Sequence, residues 1–335
     1  MKLLPCILTI TLCLRLCGEA ATSTPFGYVG VTIPAGSATS PSYTALSLPL
    51  YNTAVFTGTV ATVNSATQVT LNGAVWTTNQ FATTSAPRLA KVTSGASVGR
   101  VFLITANTSS QLTLSLAHTP TITTLTTVLA SGDTISIIPA NTLGGIFGTT
   151  SPVLVSGATA STADNIYLLN GPGLGWSTYY HNGTDWRKAG ALGSQNETIL
   201  YPDEGLLIVH IGASAVTLRN SGLVPFTNEK TDLSGTGTTF AAQRYPVDTQ
   251  LSTVGFQATT GWVSGTTVST SDNVWAWSTS LNRWEQFYFN GTNWRKAGSI
   301  ANQNTRLLPA GSAVIVIRTG TTSTSTLSQT LPYVP

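Results

Sequence analysis

The chain reads as all-β: short antiparallel strands and hairpins forming a small barrel or sandwich unit, followed by two tandem β repeats. Three observations predict this. Charged residues make up only 8% of the sequence, and polarity comes instead from Thr, Ser, Asn and Gly, of which Thr favours a pleated surface because its side chain branches at Cβ. Apolar and polar residues alternate over runs of four to eight bounded by Gly, Pro and Asn, with no sustained helical period. Finally, residues 156–196 recur at 264–304, offset by 108 without a gap. Asp164-Asn165 matches Asp272-Asn273, Trp176 matches Trp284, and Trp186-Arg187-Lys188-Ala189-Gly190 matches Trp294-Arg295-Lys296-Ala297-Gly298. A recurrence this long marks a duplicated unit.

Taken in order, residues 1–20 fit a secretory leader: Lys2, an apolar stretch from Leu3 to Leu16, and small residues at Gly18 and Ala20. The stretch is too short for a stop-transfer helix. All three cysteines (Cys6, Cys13, Cys17) lie in it, so the expected mature chain carries no disulfide and must draw stability from buried area. Residues 21–145 read as an N-terminal β unit with strands at 26–33, 44–48, 56–63, 68–71, 89–92, 100–105, 111–116 and 133–138. Asn72-Gly73 is expected to close a tight hairpin. Thr142–Phe147 could form one helical turn. Residues 146–226 form the first repeat, 227–250 a polar linker, and 251–335 the second repeat. One residue is expected to drop out of the second copy near Pro309, setting Ala310 against Asp203-Glu204.

The most informative local pattern is the hairpin around Asn182-Gly183 and its copy around Asn290-Gly291. A two-residue loop sets Tyr179 against Trp186 and Phe287 against Trp294, an aromatic face read as core. The opposite face sets Tyr180 against Asp185, with Arg187 two residues on, and Tyr288 against Asn293, with Arg295 two residues on. An aromatic ring beside an amide or carboxylate and a guanidinium can stack on a sugar and bind its hydroxyls. These six residues are therefore the candidate ligand-binding residues, one glycan patch per repeat, with a solvated hairpin face as the plainer alternative. Asp164-Asn165 and Asp272-Asn273 read as Asx turns that launch strands rather than calcium ligands.

Reactive chemistry has few footholds. His118, His181 and His210 share no metal-ligand spacing, so no metal or cofactor is expected. No nucleophile elbow precedes a helix, and the carboxylates are few and scattered for a glycosidase. A net charge of +3, to which Lys2, Arg15 and Glu19 of the leader contribute, is no footprint for nucleic acid. No second apolar run of membrane length follows the leader.

The segments PFGYVGVTIPAGS, KVTSGASVGRVFLITANTSSQLTL and SGDTISIIPANTLGGIFG, the paired YYHNGTDWRKAG and FYFNGTNWRKAG, and the ending LSQTLPYVP together resemble an uncharacterised family of exported proteins present in many copies in Verrucomicrobia-type bacteria. The resemblance spans the whole mature chain and implies a bacterial, exported, non-enzymatic protein without naming a mechanism. The expectation is thus a structural or adhesive protein of the cell surface, extracellular space or periplasm, acting through self-association or surface polysaccharide. A carbohydrate-binding protein is the alternative, and a hydrolase with an unrecognised site ranks lower.

Overall fold

A computed structural model describes residues 25–170, 175–320 and 323–334; the leader expected over 1–20 lies outside the described residues. The chain is all-β, and its sheets are antiparallel. Two strands come first, β1 (Phe26–Ile33) and β2 (Ser42–Leu46). Six more follow: β3 (Phe56–Val63), β4 (Gln68–Leu71), β5 (Arg88–Val92), β6 (Val101–Asn107), β7 (Gln111–Ser115) and β8 (Thr134–Pro139). After β9 (Asn141–Thr142) and the one-turn helix α1 (Leu143–Phe147) come β10 (Asn165–Leu169), β11 (Trp176–His181), β12 (Trp186–Lys188), β13 (Ile199–Leu200), β14 (Leu206–His210) and β15 (Val216–Leu223). The last series is β16 (Glu229–Leu233), β17 (Gly237–Ala242), β18 (Thr249–Gln250), β19 (Asn273–Ser278), β20 (Arg283–Phe289), β21 (Trp294–Lys296), β22 (Leu307–Leu308), β23 (Ala313–Arg318) and β24 (Ser325–Gln329).

Strands β3 to β8 close into a barrel in the order β3-β4-β7-β6-β5-β8. Alternation turns Val60, Val69, Val92, Phe102, Leu112 and Ile135 inward, where they are buried together. Closure leaves no free edge for another chain to pair with. Asn72-Gly73 does not make the expected tight hairpin. Strand β4 pairs with β3 and β7, and Asn72 bonds back to Thr59 through both its backbone N–H and its side-chain amide.

The remaining strands form two units of matching topology. One five-stranded sheet runs β12-β11-β10-β14-β2 and the other β21-β20-β19-β23-β17. Asn165 pairs with Val209 in the first and Asn273 with Ile317 in the second. Asn141 pairs with Leu200, and Thr249 with Leu308. The offset of 108 therefore holds from residue 141 to residue 210. No residue drops out near Pro309; Asp203 and Glu204 match Gly311 and Ser312. Ribbon β1-β15 in the first unit answers ribbon β16-β24 in the second, with Ile33 and Leu233 both fully buried.

This topology redraws the expected boundaries. Strands β1 and β2, assigned above to the N-terminal unit, pair with β15 and β14 and so begin the first sheet unit. The barrel is inserted between β2 and β9. The segment 227–250, expected as a linker, supplies β16, β17 and β18 to the second unit. Its polar residues misled because several of them are buried at contacts between units rather than solvated.

The two units meet face to face about an approximate two-fold axis. Leu46 bridges to Ser312, and Glu204 to Ala241. Ser47 donates its N–H to the Gly311 carbonyl, and Ala242 donates to Asp203. These are reciprocal pairs of matching residues, the pattern of an isologous dimer interface built within one chain. Ala45, Leu169, Phe240 and Ala313 are buried there, with Trp277 and Trp284 packed against them.

Candidate functional site

In the hairpins, His181 pairs with Trp186, Tyr180 with Arg187 and Tyr179 with Lys188. The second copy pairs Phe289 with Trp294, Tyr288 with Arg295 and Phe287 with Lys296. The expected register is therefore off by two in both. Asn182 Oδ1 accepts the N–H groups of Thr184 and Asp185, and Asn182 N–H donates to the Asp185 carbonyl, so the loop holds four residues. Asn290 does the same with Thr292 and Asn293. A shift of two keeps every side chain on its own face. The core reading stands: Trp186 and Trp294 are fully buried, and Tyr179 and Phe287 nearly so.

The six candidate residues are brought together differently from the expectation. Tyr180 and Tyr288 lie directly across from Arg187 and Arg295, whereas Asp185 and Asn293 sit in the loops. Asp185 accepts from the Asn196 amide (3.1 Å) and from Arg187 (3.1 Å). Asn293 accepts from Asn304 (3.0 Å) and Asn302 (3.1 Å). Asn196 and Asn304 in turn accept the backbone N–H of Trp186 and Trp294. Asp185 and Asn293 thus fasten the following loop to the hairpin. This explains why Trp-Arg-Lys-Ala-Gly and Gln-Asn recur together.

Asp164 and Asp272 are more than strand-launching turns. Both are fully buried. Asp164 accepts from the N–H groups of Val155 and Ile211 and lies 2.6 Å from His210 Nδ1. Asp272 accepts from Val263 N–H, Thr319 N–H and Arg318 Nε (2.7 Å). His181, matched by Phe289, is held by Ser156 and the Thr149 carbonyl. Among the described residues no group of His, Cys, Asp and Glu is arranged to hold a metal.

The densest titratable cluster was not legible in the sequence: a buried junction where the barrel meets both units. Glu229, fully buried, receives Lys91 of the barrel (2.6 Å), Arg244 (2.5 Å) and the Tyr51 hydroxyl (2.6 Å). Lys91 also lies over the Tyr51 ring, 3.4 Å from its centroid. Asp232 receives Arg100 (2.8 Å) and the Thr121 hydroxyl. The barrel loop carrying His118 enters a small hollow of about 30 Å³ lined by Asp203, Glu204 and Asp232. His118 Nε2 is 2.8 Å from Asp203 and Nδ1 is 3.6 Å from Glu204, while its ring stacks on Tyr201 at 3.5 Å.

Electrostatics fit that geometry. Burial disfavours the imidazolium, but Asp203 and Glu204 outweigh it and raise the His118 pKa to about 9. Burial pushes Glu204 up to about 7 against the pull of His118. Asp203 is held below the usual carboxylate range; burial opposes this, but the His118 charge prevails. Burial lowers Lys91, opposed by Glu229. Every strong charge here has a partner, and the space left is too small for a substrate.

Larger spaces lie elsewhere. A cleft of about 460 Å³ runs between the barrel and the 194–199 loop, walled mainly by Leu103, Ile104, Ile199 and threonines. A hollow of about 230 Å³ lies between β1, β2 and residues 306–314, with Trp277 in its wall. Among the described residues no helix is long and apolar enough to cross a membrane. No family model, curated protein or solved structure matches the chain.

Proposed function

We propose that this is an exported, non-enzymatic protein with a structural or adhesive role at the cell surface or outside it, as the family resemblance also implies. One observation carries the reading: the densest set of buried ionisable groups joins modules rather than lining a cleft. Lys91, Arg100 and His118 of the barrel meet Glu229, Asp232 and Asp203 of the two units. A chain that uses its few charges as internal fastenings is suited to bearing contacts. Protease shaving of intact cells, with light scattering of the purified protein over a concentration series, tests it. Surface accessibility with concentration-dependent mass is expected; a monomer found only inside the periplasm would refute it.

A second reading, binding of surface polysaccharide, is favoured by the open, Trp-walled hollow. Affinity electrophoresis across a polysaccharide panel tests it. The Tyr180→Ala, Tyr288→Ala double variant should leave retention unchanged, because Asp185, Arg187 and Asn293 are already engaged within the hairpin and its loops.

A further inference from the structure

Strand β1 pairs with one edge of β15. On the other edge Leu223 exchanges backbone hydrogen bonds with Tyr51, after which the chain turns away through Asn52 into the barrel. Backbone groups alternate sides along a strand, and Val224 N–H is back on the β1 side, where it donates to the Pro25 carbonyl. Arg219 and Ser221 therefore present their N–H and C=O groups on the same edge as Leu223. Among the described residues no strand covers them there. A pocket of about 280 Å³ opens at this edge, walled by Arg219, Asn220 and Ser221 together with Asn52, Asn141 and the α1 turn at Gly145.

The pocket gathers donors that have no partners. Arg219 is exposed and, among the described residues, makes no ion pair or hydrogen bond through its side chain. Asn220 is only 6% exposed. Its Oδ1 accepts the Leu50 N–H (3.2 Å), which orients the amide. Its Nδ2 has no partner among the described residues, yet it is not sealed in, and the pocket is the space it meets. A buried amide donor is nearly always paired, so a free one facing a pocket points to an occupant that accepts. Asn52 donates to Asn141 Oδ1 (3.0 Å) and to the Pro139 carbonyl (3.0 Å), which leaves the amide N–H groups of Asn141 free. Among the described residues no carboxylate lines the pocket.

The second unit handles the same position differently. Val29 pairs with Asn220 and Glu229 with Gln329, so Gln329 stands where Asn220 stands, and Ser328 where Arg219 stands. Gln329, one methylene longer, accepts the Arg244 N–H and donates to the Ala242 carbonyl, so both ends of its amide are engaged. In the first unit the shorter amide leaves its donor over, and a cation stands beside it.

We propose that this pocket binds a tetrahedral oxyanion: a sulfate or phosphate group, as a free ion or as an ester on a larger molecule. Arg219 supplies the charge. The amides of Asn220 and Asn141 and the edge N–H of Ser221 supply neutral donors from two separate strands. A guanidinium with converging N–H groups favours an oxyanion over a neutral sugar, because hydrogen bonds to an ionised acceptor are the stronger ones. The volume leaves room for the first atoms of an ester beyond the oxyanion itself. The inference goes beyond both readings above and rests on neither.

The full chain is titrated calorimetrically with sodium sulfate and with sodium phosphate, against sodium chloride at matched ionic strength, and is run on sulfated and on plain dextran. Saturable binding of sulfate or phosphate, absent with chloride, is expected. Arg219→Ser, which installs the residue found at position 328, should weaken it at least tenfold. Asn220→Asp keeps an acceptor for the Leu50 N–H but turns the free donor into a carboxylate oxygen, and should abolish binding. Retention on sulfated dextran that Arg219→Ser removes would support an ester as the ligand; saturable binding of the free ions without such retention would support a free ion. No saturable binding of either ion and no selective retention overturns the proposal, as does binding that both variants leave unchanged. Should Asn220→Asp fail to fold, the exposed Arg219 position still decides.

Discussion

The two ends of the internal two-fold interface began from one design and diverged. At one end the barrel is fastened by Lys91–Glu229, Arg100–Asp232 and His118–Asp203. At the other, Val29 and Thr32 stand where Glu229 and Asp232 stand, Gly311 and Ser312 replace the two acids, and a hollow remains. The difference teaches how an inserted domain is held. The barrel grows from the β2–β9 connection, whereas the matching connection in the second unit is only residues 243–248. Among the described residues, ion pairs that reach the barrel lie on the side that must grip it. Buried ion pairs are weak sources of net stability, but removing one partner is costly because it strands the other charge. They therefore favour a single docked arrangement over alternatives.

The largest expected effect comes from breaking that contrast at its centre. Glu229→Ala strands Lys91 and Arg244 and should cost about 3–5 kcal/mol, read by chemical denaturation. Val29→Ala at the matching position should cost only about 1–2 kcal/mol for the methyl groups lost. Equal costs would mean that the ion pairs do not distinguish the two ends.

Next is the pH response. The raised pKa of His118 means that the folded protein holds a proton which the unfolded chain releases near 6.5. Its stabilisation is fully present below pH 6.5 and lost as pH rises through about 9. The loss is of order 3 kcal/mol for a group this enclosed. Glu204, raised to about 7, adds a decline of the same sign between about 4.5 and 7. Melting temperature should fall between pH 6.5 and 9, and His118→Ala should be less stable at pH 6 and lose the share of that fall that His118 carries.

A comparison of the two buried aspartates sharpens the account. Asp272→Asn leaves the fully buried Arg318 guanidinium without its counter-charge, whereas Asp164→Asn leaves His210 its other bond, to the Ser214 carbonyl. The former should be the more destabilising by about 1–3 kcal/mol, measured in parallel melts. Smallest of all, Gly183→Ala and Gly291→Ala should each cost about 1 kcal/mol. Their φ angles are +101° and +95°, and nothing lies near the added methyl in either. Unequal costs would show that the two loops differ more than their hydrogen bonds suggest.

Much of the fold was legible. Alternation located β1, β3 and β4 at their observed ends, and the recurrence at 108 identified two matched units with Trp186 and Trp294 at their cores. What escaped was non-local. Nothing in residues 26–46 announces that they pair with strands near 206–223 on the far side of a barrel. Nor does spacing bring together Lys91 and Glu229, 138 residues apart. The hairpin register escaped for a local reason: the Asn182 side chain captures two backbone N–H groups that a two-residue loop would leave to the ladder. Of the candidate glycan residues, Tyr180 and Tyr288 pair with Arg187 and Arg295, but Asp185 and Asn293 fall in the loops instead of opposite the tyrosines, and their hydrogen bonds with Asn196 and Asn304 are invisible without coordinates.

The central claim is that the barrel is clamped by charge at one end of the two-fold interface and that the other end lacks such a clamp. Hydrogen exchange of the full chain, measured from pH 6 to pH 10 and corrected for intrinsic rates, tests it most directly. The account predicts that protection of β5, β16 and the His118 loop falls as pH passes about 9, while β1, β2 and β23 around the hollow keep theirs. Equal loss at both ends, or none at either, would contradict it.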